Sequence, residues 1–105
     1  MTLHEFRDLL LTVGVPVYHL EPDEESAHFI VWAESGQGQS VWAGNKKVLH
    51  FISGTLHYAT KTEYDPTVKD IQDLLNGSGI SWRLVDIEYD KETGFIIYEW
   101  AWTIC

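Results

Sequence analysis

Leu3, Phe6, Leu9, Leu10 and Val13 recur at helical spacing and form one apolar stripe at the start of the chain. Ahead of them, Thr2-Leu3-His4-Glu5 has the form of a capping box, in which the threonine hydroxyl and the glutamate carboxylate each accept from the other residue's amide. Gly14 suits a left-handed turn after this helix, and Pro16 keeps it from resuming. The period then changes. Val15 to Leu20 reads as a short extended piece, and Pro16, which cannot donate to a ladder, places it at a sheet edge. Glu21 to Ser26 is a polar acidic turn. His28 to Glu34 is a β-branched and aromatic strand, with Phe29, Val31 and Ala33 on one face and Ile30 and Trp32 on the other.

Ser35 to Lys47 breaks the pattern with Gly36, Gly38, Gly44 and Asn45, and reads as a loop that is long for a compact domain. Val48 to Thr62 predicts a long strand, with Gly54 a candidate bulge or bend. Asp65-Pro66 opens a second helix: the aspartate caps it and the proline takes the first helical position. Val68, Ile71, Leu74 and Leu75 form its stripe, and Asn76-Gly77-Ser78-Gly79 ends it. Ile80, Trp82 and Leu84 then alternate with polar residues, after which the phase slips to Val85, Ile87 and Tyr89. A strand changes face only through an extra residue or a sharp twist, so a bulge is expected near Leu84-Val85. Asp90 to Gly94 is a hairpin turn, and the returning strand puts Ile96, Tyr98, Trp100, Trp102 and Ile104 on one face. The expected fold is a single α+β domain over residues 1–105. Its order is helix, three strands, helix, two strands, with a mainly antiparallel sheet and both helices packed on one face.

Two helices cover one face of such a sheet, yet the strand from His28 is apolar on both. Ile30 and Trp32 therefore join Val41 and Trp42 of the polar loop as a candidate self-association surface. A tryptophan among glycine, glutamine and asparagine is typical of an anchor into a partner's pocket, and the alternative is that Trp42 packs back onto its own sheet. The adjacent Lys46-Lys47 pair can meet an acidic patch on a neighbouring subunit.

Composition narrows the function classes. At 105 residues and 45% hydrophobic, the chain can build one packed core. A net charge of −9 with seven basic residues leaves no phosphate-tracking groove. No apolar run approaches the roughly 20 residues a bilayer requires, and the start has no signal-peptide pattern. Cys105 stands alone, so no internal disulfide forms and a reducing cytoplasm is the expected compartment.

Candidate chemistry is sparse. His50 and His57 are seven apart on one strand, which places them on opposite faces unless Gly54 is a bulge. His19 and His28 could oppose one another only across a hairpin. No helical pair of histidines and no cysteine pair suggests a metal. Asp86, Glu88 and Asp90 look like a solvated strand edge, Glu99 among its aromatics is either a buried acid with a raised pKa or, as expected here, a residue of the open face, and no serine occupies a nucleophile elbow. No enzyme, cofactor or metal site is predicted.

The order of elements resembles the tail terminator, or tail completion, proteins of long-tailed phages. The likeness runs over nearly the whole chain, through Leu3-His4-Glu5-Phe6-Arg7-Asp8-Leu9-Leu10 and Asp65-Pro66-Thr67-Val68-Lys69-Asp70-Ile71-Gln72. Small prophage proteins of Gram-positive bacteria are similar at Val15-Pro16-Val17-Tyr18, Tyr64-Asp65-Pro66 and Ile80-Ser81-Trp82-Arg83-Leu84. The resemblance implies a structural virion protein that forms a hexameric ring on the tail tube, ends tail polymerisation and provides the head–tail joint. Its implied partners are copies of itself, the tail tube protein and a head-completion or connector protein, with DNA passing through an electronegative lumen. The implied location is the virion, after assembly from the host cytoplasm. A second class, a monomeric acidic binding or inhibitor module that mimics DNA charge, would instead space its carboxylates along one exposed surface.

Overall fold

The computed structural model describes residues 2–21, 27–43 and 46–104, and from 36 to 51 that description covers the course of the strands alone. Helix α1 (Leu3–Leu11) is followed by strands β1 (Val17–His19), β2 (His28–Ala43) and β3 (Lys46–Thr60). Helix α2 (Thr67–Gly77) and strands β4 (Ser81–Tyr89) and β5 (Ile96–Ile104) complete the chain. The five strands form one sheet in the order β1-β2-β3-β5-β4, antiparallel except for the β1–β2 pair. The domain is α+β.

Local chemistry sets the helix ends. The Thr2 hydroxyl accepts from the Glu5 amide at 3.1 Å and the Glu5 carboxylate accepts from the Thr2 amide at 3.2 Å, closing the capping box. Gly14 follows at φ +92°, a left-handed conformation that costs glycine little. At α2 the backbone of Pro66 is already helical, and Asp65 Oδ1 accepts from the Thr67 amide at 2.9 Å. The other Asp65 oxygen accepts 2.7 Å bonds from the hydroxyls of Tyr58 and Thr60. One carboxylate thereby caps α2 and ties it to the end of β3.

Both helices lie on one face of the sheet. Phe6 and Leu10 of α1 share a single core with Ile71 and Leu75 of α2 and with Ile30, Trp32, Leu56, Tyr58, Trp100 and Trp102 of the strands. The Phe6 ring packs 4.4 Å from Trp102 and edge-on to Trp32 at 5.6 Å. Trp102 Nε1 donates to the Thr55 carbonyl at 2.8 Å, whereas the buried Trp100 Nε1 has no partner among the described residues. Trp102→Phe is therefore expected to destabilise by about 1–2 kcal/mol more than Trp100→Phe, because only the first removes a made bond. Equal urea midpoints for the two variants would contradict this.

Three expectations change. Ser35 to Ala43 and Lys46 to Lys47 are strand and not loop: β2 runs on to Ala43 and β3 begins at Lys46, with register shifts between Glu34 and Gln37, Gln37 and Ser40, and Val41 and Trp42. Glycine and glutamine are weak strand formers, but backbone pairing across a hairpin overrides them. Gly54 is not the bulge either. It lies in regular register with Trp102 on β5, and the irregularity sits opposite it on β2. Finally, His19 and His28 do not meet across a hairpin. Because β1 runs parallel to β2, His19 pairs with Trp32 and stacks on its ring at 4.2 Å. The expected bulge in β4 is present, as a register shift between Leu84 and Asp86 against β5.

Candidate interaction surface

The sheet face opposite the helices is built from alternate residues of four strands, since successive side chains point to opposite sides. On β2 these are Phe29, Val31 and Ala33; on β3, Ala59, His57 and Thr55; on β5, Ile97, Glu99 and Ala101; on β4, Glu88, Asp86 and Arg83. The face grades from apolar at β2 to charged at β4. His57 Nε2 lies 3.4 Å from Glu99 Oε1 at its centre, both side chains about one-third exposed (37% and 31%), so this is an open-face pair and not a buried acid. At the β2 end, Phe29 meets Phe95 edge-on at 5.5 Å and Tyr18 at 6.1 Å, and Lys61 Nζ sits 4.9 Å above the Phe95 ring.

The second surface is an arm. β3 meets β5 only from Ile52 onward, so between Gln37 and Phe51 the β2–β3 hairpin is two-stranded among the described residues. The molecule measures 52 Å along its longest axis against 25 and 23 Å across, close to the length of a single sixteen-residue strand such as β2. Val41 pairs with Leu49 and Trp42 with Lys47 near the tip, and Ala43 pairs with Lys46. The side chains of Val41, Trp42, Lys46 and Lys47 lie outside the described residues.

The other two interface candidates are corrected. Ile30 is fully buried and Trp32 is 4% exposed, both in the core under the helices. Their face of β2 is the one that α1 covers, so the apolar matter there is used within the subunit.

The third surface was legible only as a phase slip. β4 is an edge strand, and Leu84, Val85, Ile87 and Tyr89 are 40%, 46%, 52% and 60% exposed along it. Asp86 and Glu88 are exposed between them. The bulge re-aims the second half of the strand.

His19 Nε2 lies 2.8 Å from Glu34 Oε2, beside a cavity of about 310 Å³ lined by Leu3, His4, Arg7, His19 and Trp32. Among the described residues, no serine, cysteine or carboxylate lines that cavity. No group of three metal-ligating side chains occurs among the described residues, and none of their helices is long and apolar enough to cross a membrane. Asp65 and Tyr58 share a network that shifts both titrations. Partial burial disfavours the Asp65 charge, but the Thr67 amide and the Thr60 and Tyr58 hydroxyls outweigh it and bring its pKa down to about 2. Burial, then the bond to Asp65, pushes Tyr58 up to about 12.

No known protein-family model matches this chain, and no curated protein does.

Proposed function

We propose that this protein is a non-enzymatic virion component that forms a ring on the end of a phage tail tube, stops tail polymerisation and provides the joint to the head. The observation that carries the reading is the two-stranded arm of β2 and β3. A hairpin without a third strand is marginal in water, and here it extends beyond the sheet with Trp42 near its tip. An arm of this kind is stabilised by lying on a neighbour. Head-to-tail contacts between arm and body close into a ring when the rotation allows; the number six comes from the resemblance. The −9 charge fits a lumen that DNA crosses without sticking.

Disruption of the gene in the phage or prophage that carries it tests the role. Electron microscopy of lysates should show tails of irregular, excessive length and heads without tails. Normal tails joined to heads would reject it. Trp42→Ala should leave the melting curve nearly unchanged and weaken tail completion. Unfolding of that variant alongside normal tails would place Trp42 in the subunit core. The purified protein should also show no measurable affinity for duplex DNA at physiological salt, and tight binding would exclude the lumen assignment.

A further inference from the structure

β4 ends the sheet, so its outward amides and carbonyls face away from every other strand of the subunit. Such edges template pairing with another chain unless they are blunted. A bulge and scattered charge are common blunting devices, and β4 has both. The charges on β4, however, are of both signs, and their order is self-complementary.

Reversing the strand about the point between Val85 and Asp86 sets Trp82 opposite Tyr89, Arg83 opposite Glu88 and Leu84 opposite Ile87. In a regular strand, positions such as 83 and 88 point to opposite faces, and the match would be meaningless. The bulge supplies the missing residue. Arg83 and Glu88 both fall on the open face, opposite Ala101 and Ile97 of β5. Trp82, Leu84, Ile87 and Tyr89 all fall on the helix face, opposite Trp102, Trp100, Tyr98 and Ile96. Every facing pair outside the two central residues therefore shares a side. Arg83 and Glu88 form no ion pair within the subunit among the described residues. Of these side chains, Leu84, Ile87 and Tyr89 are large apolar groups left 40–60% exposed.

We infer that β4 pairs antiparallel with β4 of a second copy of this chain, fusing two five-stranded sheets across a two-fold axis. An isologous contact of this kind repeats each interaction twice. Arg83 of each copy meets Glu88 of the other directly and Asp86 on the diagonal, while Leu84 and Ile87 cover one another. The contact goes beyond the ring reading: a ring propagates through unlike surfaces, and this one closes on itself. It leaves the arm free.

The test is analytical ultracentrifugation of the full chain at tens of micromolar and above, with circular dichroism melts to verify folding. Wild-type protein should sediment as a monomer–dimer equilibrium. Arg83→Glu and Glu88→Arg should each weaken the dimer by about tenfold, since each sets like charges opposite one another at two places. An equimolar mixture of the two variants should recover dimer, because every pair in the heterodimer is again of opposite sign. Ile87→Lys should abolish dimer while leaving the melt intact. A wild-type protein that stays monomeric would overturn the inference. So would single variants that dimerise normally, or a mixture that gains nothing. A monomeric wild type whose Arg83→Glu form also fails in tail completion would assign the edge to a strand of a different protein. Tail completion by the dimer-deficient Ile87→Lys protein would separate this contact from the ring reading.

Discussion

Gly54→Ala is expected to destabilise the domain by about 3 kcal/mol, at the upper end of what overpacking costs. A Cβ at this position would overlap the Ala33 carbonyl oxygen and would stand 2.6 Å from Trp102 Cζ2 and 2.8 Å from Glu34 Cα. Two of those three neighbours are backbone, and the third belongs to a ring held by Phe6 and by its own bond to Thr55. None can yield by rotating a side chain. The strand would have to separate from β2 just where the register shift after Glu34 begins, so the damage reaches the base of the arm. Against a typical total stability of about 5–15 kcal/mol, a loss of this size lowers the urea midpoint far enough to be unmistakable. A variant that melts within a few degrees of wild type would show that β2 and β3 are not packed as closely as described.

Asp65→Ala should cost about 2–3 kcal/mol at neutral pH and much less in acid. The carboxylate accepts from the Tyr58 and Thr60 hydroxyls and from the Thr67 amide at 2.7–2.9 Å. Removing it leaves the buried Thr60 hydroxyl and the first turn of α2 without that acceptor. Its folded pKa of about 2 lies below the ordinary 3.8. Ionisation therefore favours the folded state, and the contribution is fully present above pH 4. It is lost as pH falls from about 4 towards 2. After allowance for solvent screening, the pH-dependent part is about 1–2 kcal/mol. In urea titrations the gap between wild type and Asp65→Ala should be clearly narrower at pH 2.5 than at pH 7. If the gap between them is as wide in acid as at neutrality, the charge on Asp65 is not what ties α2 to β3.

The fold was largely legible because its signals are local. The capping box at Thr2, the glycine after α1, the Asp65-Pro66 start of α2 and the Asp90–Gly94 turn each act within a few residues of themselves. The turn shows it directly: Gly94 sits at φ +79° and donates to the Asp90 carbonyl at 2.8 Å. Even the β4 bulge was readable, because a change of apolar phase within one strand requires an extra residue or a sharp twist. The candidate surfaces were less legible. Ile30 and Trp32 stand on an apolar strand, but which of its two faces the helices cover depends on a packing decision made across the sheet. The arm was hidden because its glycines and glutamines speak for a loop, and only pairing with β3 speaks against one.

What the sequence by itself determined, then, is the class and order of elements: where helices begin and end, which strands alternate, and that the chain is acidic. The tertiary structure decided what is non-local. It set β1 parallel to β2, and it sent the helices to the face of Trp100 and Trp102. It placed Gly54 against the Ala33 carbonyl, and it left β4 at an edge with Leu84, Ile87 and Tyr89 in water. The physical reason is range. Caps and turns are fixed by hydrogen bonds a few residues long, whereas register, facing and exposure are fixed only when distant segments compete for the same surface.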